Sequence, residues 1–381
     1  MQGDRANQKV DLAALLELAQ VCQNDTWQAE AYLRQADCAG KQGDYRATIP
    51  LADAASTFAR RADNWTLELR AQSYKAQSLI FFGEQVTAHT AIEKILAHTH
   101  QVENNSVRAQ CLTVAAHYYL IVGDLVRAVD LQSQGIDAAQ QDGKSNIALQ
   151  HKANLGLIYV TLGLYAQAQS ILEEVLSQTE QLGDRRLYAN TLFHLGYVYW
   201  RNGDDELAQK TEEQALEELK SLGDAYGEAA CRAYLGYIFQ DMGNYAMALE
   251  HLKAARTGFI NIGVDPDRYE AQAVEAQVAL AQEQKEAARQ LAVQVWQYIR
   301  QNGTGGMIAP YWTYLCIADV LAAGGASESV PSVREVIEVG YRELMENANK
   351  ISNAAWRQAF LENSEENREL VERWKKMQQC E

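Results

Sequence analysis

The chain has 381 residues, of which 48% are hydrophobic and 22% charged, and its formal net charge at pH 7 is −16. This acidic balance argues against wrapping nucleic acid or an anionic membrane, because both need basic stripes. No stretch is apolar enough to span a bilayer, and the six cysteines have no paired spacing, so we expect buried thiols in a reducing cytoplasm.

Glycine recurs every forty residues, in two series that are twenty residues out of phase. The first series is Gly43, Gly83, Gly123, Gly163, Gly203 and Gly243. The second series is Gly143, Gly183, Gly223, Gly263 and Gly303. The segment between a glycine of one series and the next glycine of the other is long enough for one helix of about four or five turns. Glycine takes the left-handed conformation where a helix stops. The repeat therefore predicts alternating helices and turns.

Small residues mark where the two helices of each unit should meet. Seven positions before the first-series glycine stand Gly156, Gly196 and Gly236. That distance is about two helical turns, so these residues face inward and let the partner helix approach closely. The matching positions on the second helices are Ala168, Ala208 and Ala248.

Taken in chain order, residues 1–24 are predicted to form an N-terminal helix with Asp11 as its cap. Residues 25–350 follow as about eight helix–turn–helix units. Some of these units depart from the pattern. Pro50 lies early in the second helix of the first unit, which should start late or kink, and Glu283 replaces the turn glycine of the seventh.

The end of the chain is predicted to close the stack. Residues 351–381 should form one capping helix, from about Asn353 to Gln378, with Trp356, Phe360 and Trp374 on one face. A terminal repeat needs such a cap because its outer apolar face has no neighbour.

The residues around the inward glycines resemble a known repeat. Residues 195–199 read LGYVY and residues 235–239 read LGYIF, each followed by an alanine on the next helix. This resembles the tetratricopeptide repeat, with a period of forty instead of the common 34, over nearly the whole chain. The resemblance implies an all-α, right-handed α-solenoid whose first helices line a concave, protein-binding groove.

The tail carries a second resemblance, to the tetratricopeptide region of bacterial STAND-type signalling ATPases. Residues 351–363 read ISNAAWRQAFLEN and residues 366–370 read ENREL, which look like the closing segment of such regions. The start of the chain also resembles the entry into one. This implies a sensor or scaffold module of a larger protein whose reading frame extends upstream of Met1.

Applied to the middle repeats, the groove geometry of the family predicts a binding surface on the first helices. The predicted peptide-binding residues are His117, Gln150, Asn190, Tyr197, Trp200, Arg201, Tyr237 and Gln240. Aromatic rings together with arginine are typical of binding hot spots, and the amides can pair with a peptide backbone. An alternative is that Tyr197 and Tyr237 pack between repeats.

Other chemistry finds little support. No two histidines are three or four residues apart, so we expect no metal and no cofactor. The Gly-Lys-Ser at residues 143–145 lacks the glycine of a phosphate-binding loop, because Ala138 stands there. Carboxylate pairs such as Glu212-Glu213 are interpreted as a solvated helix face. The chaperone-binding carboxylate clamp is not matched, since Leu33 and Asp37 occupy its first positions.

Three functions remain. The first is a non-catalytic protein-interaction or sensor module of a signalling ATPase or regulator, which binds a protein segment or another domain of its parent chain. The second is a free-standing adaptor or peptide receptor of the same fold. An enzyme with an unrecognised groove site is the third, and no sequence feature supports it.

Overall fold

The computed structural model describes residues 2–41, 43–141, 143–324 and 331–379, with side chains from Val10 onward. Within these ranges the chain forms nineteen α-helices, one short 3₁₀ turn and no strand. The helices in chain order are α1 Gln2–Val21, α2 Asp25–Lys41, α3 Tyr45–Arg61, α4 Trp65–Phe81, α5 Gln85–His98, α6 Asn105–Ile121, α7 Leu125–Gln141, α8 Ser145–Thr161, α9 Tyr165–Leu182, α10 Arg185–Arg201, α11 Asp205–Leu222, α12 Ala225–Asp241, α13 Tyr245–Ile262, α14 Asp265–Ala281, α15 Lys285–Asn302, α16 Pro310–Gly324, α17 Val333–Lys350, α18 Ala354–Glu362 and α19 Glu365–Gln379.

The chain divides into two compact units. Unit 1 comprises Met1–Tyr118 and Leu131–His151, and unit 2 comprises Tyr119–Asp130 and Lys152–Glu381. Eight successive helix pairs run from α2–α3 to α16–α17. The all-α, tetratricopeptide-like solenoid predicted from the repeat is therefore confirmed.

The turns between helices follow from two adjacent residues. Gly183, for example, has φ 68° and ends α9, and Asp184 directly after it accepts a hydrogen bond from the Leu187 amide and caps α10. A left-handed glycine followed by Asp or Asn thus stops one helix and starts the next. Glu283, which replaces a turn glycine, is forced into the same region at φ 63°.

Three local expectations were wrong. The first helix begins at Gln2, so Asp11 lies inside it and does not cap it. Pro50 does not delay its helix, because α3 begins at Tyr45 and runs through the proline. The predicted capping helix is broken between α18 and α19, and Asn363 and Ser364 separate them. As predicted, the C-terminal helices do pack on the last pair: α18 contacts α17, and α19 contacts α16 and α17.

The inward glycines lie against large side chains of the partner helix. A Cβ atom added to Gly156 would come within 2.7 Å of Leu172, and one added to Gly236 within 2.6 Å of Leu252. The same atom on Gly196 would meet the Glu212 carboxylate at 2.5 Å. The close approach of the two helices was predicted. The side chain that lies against each glycine, however, is Leu172, Glu212 or Leu252, and not the alanine four residues before it.

Glu212 was expected on a solvated face and is instead completely buried. It stands forty residues from both Leu172 and Leu252, so the repeat places it in the core. Neither carboxylate oxygen has a hydrogen-bond partner of ordinary geometry among the described residues, and the polar group beside them is the weakly donating thiol of Cys231. Burial raises the pKa of Glu212 well above its ordinary value, because it disfavours the charged carboxylate.

Replacing Glu212 with leucine should therefore stabilise the chain. An unpaired buried polar group costs about 1–3 kcal/mol, and leucine fits the equivalent positions on either side. The folded pKa of Glu212 lies above the unfolded value of about 4.3, so the folded state binds more protons and loses stability as pH rises. The gap between Glu212→Leu and wild type in urea unfolding should be larger at about pH 8 than at about pH 5. The exposed neighbour change Glu213→Leu is the control, and an equal gap at both pH values would contradict the assignment.

Candidate functional site

The first helices of unit 2 form one continuous surface. Helix α10 contacts α12, α12 contacts α14, and α14 contacts α16. We call the surface that these four helices share the inner wall. Because it carries most of the residues predicted to bind a peptide, its geometry decides what the site can do.

Aromatic rings fill the centre of the inner wall. Tyr197 and Tyr234 stack with centroids 5.0 Å apart, and Trp200 lies 5.9 Å from Tyr237. Trp312 of α16 lies against both, 5.3 Å from Trp200 and 4.8 Å from Tyr237. The structure therefore brings the predicted aromatic residues together.

These rings are not open to a partner in this conformation. Trp200 is 6% exposed and Tyr237 1%, because Trp312 covers them. The indole N–H of Trp200 donates to Asp241 Oδ2 at 2.7 Å, which satisfies its polar atom internally. The expectation that Trp200 is presented in an open groove is thus corrected: Trp200 joins helices α10, α12 and α16.

Two carboxyl groups lie beside the tyrosine hydroxyls. Glu270 accepts hydrogen bonds from the Ile308 and Ala309 amides, both at 2.9 Å, and Asp267 accepts one from Tyr226 at 3.1 Å. Burial raises the pKa of Glu270 to about 7, and burial together with the Glu270 charge raises that of Asp267 to about 8. Among the described residues no lysine or arginine forms an ion pair with either carboxyl group. Glu270 therefore anchors the backbone at the start of α16.

Arg201 forms the principal charged contact of the inner wall. Its guanidinium donates to Glu366 Oε2 of α19, 165 residues further along the chain. Both side chains are nearly buried, at 12% and 13% exposure. Burial alone would lower the pKa of Arg201, but the Glu366 carboxylate raises it above its usual value. Arg201 is thus occupied by a partner from its own chain.

The C-terminal part of the chain crosses the turns of three consecutive helix pairs. Lys350 Nζ donates to the Val122 carbonyl at 2.7 Å, and Asn363 Nδ2 donates to the Gly163 carbonyl at 3.0 Å. The two acceptor carbonyls and the Arg201 guanidinium, which is a donor, lie at the α6–α7, α8–α9 and α10–α11 turns, about forty residues apart. We call residues 347–366 the return segment.

Apolar contacts support the return segment between its polar ones. Phe360 is 2% exposed and packs edge-on against Tyr311 of α16 at 6.0 Å. Trp356 lies edge-on to Tyr159 of α8 at 6.4 Å. The segment is therefore bound by side chains, backbone carbonyls and an ion pair together.

Of the remaining predicted residues, two belong to the other compact unit and two lie on α10 and α12. His117 and Gln150 belong to unit 1, where burial lowers the pKa of His117 to about 4 and Gln150 is exposed. Asn190 is half-buried on α10. Gln240 Nε2 donates to Gln277 Oε1 at 2.9 Å.

Several residues of the site were not found from the sequence. Tyr234 could have been found, because it directly precedes the LGYIF signature and helical spacing places it one turn before Tyr237. Trp312 and Glu366 carry no such signal, because Trp312 lies on α16, beyond the forty-residue glycine series, and Glu366 follows the last helix pair. No group of three or more potential metal ligands occurs among the described residues, and none of the described helices has the length and apolarity to cross a membrane.

Sequence comparison identifies the repeat. The tetratricopeptide repeat family model matches residues 147–221. No curated protein sequence matches this chain.

Solved structures share the fold over most of the chain. A Rap protein complexed with Competence and Sporulation Factor is 11% identical, with a TM-score of 0.58, covering 93% of this chain and 98% of that one. NprR in complex with its cognate peptide NprX is 14% identical, with a TM-score of 0.56, covering 90% and 98%. A STAND protein with a tetratricopeptide repeat sensor from Pyrococcus horikoshii is 17% identical, with a TM-score of 0.47, covering 87% and 52%.

Two turn glycines provide a matched test of the return segment. Gly163 and Gly203 have φ 72° and 79°, so alanine pays a similar left-handed penalty of about 1–2 kcal/mol at each. A Cβ on Gly163 would lie 2.6 Å from the Ala359 carbonyl oxygen, whereas one on Gly203 would have nothing within 4 Å. Gly163→Ala should therefore speed amide hydrogen exchange in residues 354–366, and Gly203→Ala should leave it unchanged. Equal exchange of this stretch in the two variants would contradict the docking.

Proposed function

We propose that this tetratricopeptide repeat protein is an interaction module that binds a protein segment along the inner wall around Arg201 and along the adjoining α8–α9 turn. The observation that carries the proposal is the return segment, because its contacts indicate which chemistry this surface uses to hold a polypeptide. A guanidinium holds a carboxylate, a turn carbonyl accepts a hydrogen bond from a side-chain amide, and aromatic rings pack against aromatic side chains.

The comparisons support a peptide-like ligand. NprR was solved with its cognate peptide and the Rap protein with Competence and Sporulation Factor, and both share this fold. Fold alone does not fix a function, so the proposal depends on the inner wall. Within the inner wall, Arg201 makes the specific polar contact with the bound segment. The buried rings of Tyr197, Trp200 and Tyr237 support the position of Arg201. We extend the surface along α10 to Asn190.

The cellular context is the second part of the proposal. The tail sequence at residues 351–363 favours a sensor or scaffold module of a larger signalling ATPase, and the alternative is a free-standing adaptor. The genomic reading frame upstream of Met1 decides between them: an ATPase domain in frame supports the first, and a stop codon supports the second.

Reversing the charge of Arg201 tests the binding surface. Arg201→Glu should reduce capture of the partner from the organism's own extract at least about tenfold, and the wild-type interaction should weaken with salt. The exposed α11 change Glu213→Lys should have no effect.

One further control is needed because Arg201→Glu also breaks the pair with Glu366. Glu366→Gln breaks the same pair but leaves Arg201 in place, so it should retain or increase capture. If Glu213→Lys abolishes capture while Arg201→Glu retains it, the partner binds the opposite face and the proposal fails.

A further inference from the structure

The return segment occupies the surface to which the proposed function assigns a partner. Its carboxylate, amide and aromatic groups take up Arg201, the Gly163 carbonyl and Tyr159. Any other polypeptide that used these groups would have to remove the return segment first. The return segment and such a polypeptide would therefore compete for the same groups. The competition determines when a partner can reach the wall and which kind of ligand can bind there.

The turn at Gly163 is shaped for this contact. The Cα of Gly163 lies so close to the Ala359 carbonyl that no side chain fits, whereas the turns at Gly143, Gly183, Gly203 and Gly243 are open at the same place. The Asn363 and Glu366 contacts are three residues apart and fall on consecutive turns. They belong to the junction where α18 ends and α19 begins. The wall thus accepts a helix junction with a specific polar spacing.

We infer that the return segment is an intramolecular competitor of the partner, and that the partner is a segment in which one helix ends and the next begins, presenting a side-chain amide at the junction and, three residues later, a carboxylate. The inference rests on the proposed function, because it names the ligand class and the regulation of the same surface. A partner of this type gains access when it exceeds the effective concentration of the tethered segment, which is in the millimolar range for short flexible tethers.

A peptide in trans tests the inference with the full-length protein. The probe is a fluorescent synthetic peptide of residues 347–370, which carries both polar contacts. The release variant is Asn363→Ala/Glu366→Arg, which changes only the tethered copy and leaves the wall intact. The matched control is Gln378→Ala/Glu372→Arg, at two exposed positions of α19.

The expected result has two parts. Amide exchange in residues 354–366 should be faster in the release variant than in the control, and the peptide should bind the release variant at least about tenfold more tightly than the control or wild type.

The unfavourable outcomes separate the inference from the proposed function. If the peptide binds all three proteins equally, the segment is not a competitor and the inference is wrong, while the proposed surface stands. If exchange shows the tethered segment released and the peptide still binds none of them, the emptied wall does not hold a polypeptide and the proposed function is wrong. If the release variant exchanges as slowly as wild type, the contacts of Asn363 and Glu366 do not hold the segment and the inference is wrong.

Discussion

The structure depends on one constraint that recurs every forty residues: the first helix of a pair carries only glycine or alanine where the second helix crosses it. At Gly156 and Gly236 this space is taken by a leucine, and at Gly196 by Glu212. Close crossing at the same phase in successive pairs makes the turns recur at equivalent positions. The Val122 and Gly163 carbonyls and the Arg201 guanidinium, on consecutive turns, can therefore all lie within reach of one short segment.

The return segment binds to these regularly spaced turns. Its ion pair adds little net stability to the fold but is selective for the group that binds Arg201. A nearly buried ion pair such as Arg201–Glu366 roughly balances the cost of removing both charges from water. Removing one partner is different, since it leaves the other charge unpaired and typically costs about 3–5 kcal/mol. The pair therefore selects the correct partner for Arg201 more than it stabilises the fold. At Arg201, the Glu366 carboxylate can therefore be replaced by an equivalent carboxylate from another chain.

The sequence was sufficient for the helices, the turns and the close crossings, because each depends on local residues repeated at a fixed interval. The forty-residue interval also indicates that Glu212 is buried, because the equivalent positions in the neighbouring repeats are the core residues Leu172 and Leu252. The adjacent acidic residue, however, led us to expect a solvated face. The contacts of Trp312 with Trp200 and of Glu366 with Arg201 were beyond this reasoning. They join positions far apart in the chain that share no repeat, and nothing in a single sequence pairs them. Burial of the aromatic residues was the alternative that the sequence left open, and in the structure Tyr197, Trp200 and Tyr237 are buried.

The central claim, that the return segment lies on the α8–α9 turn in solution, is tested most directly by a distance between two spin labels. Ala166 on α9 and Arg357 on α18 are exposed and suitable for cysteine labelling once Cys22 and Cys380 are replaced. The account predicts one narrow population of short distances, which excess unlabelled peptide of residues 347–370 broadens and lengthens. A broad distribution without peptide, unchanged by its addition, would contradict the claim.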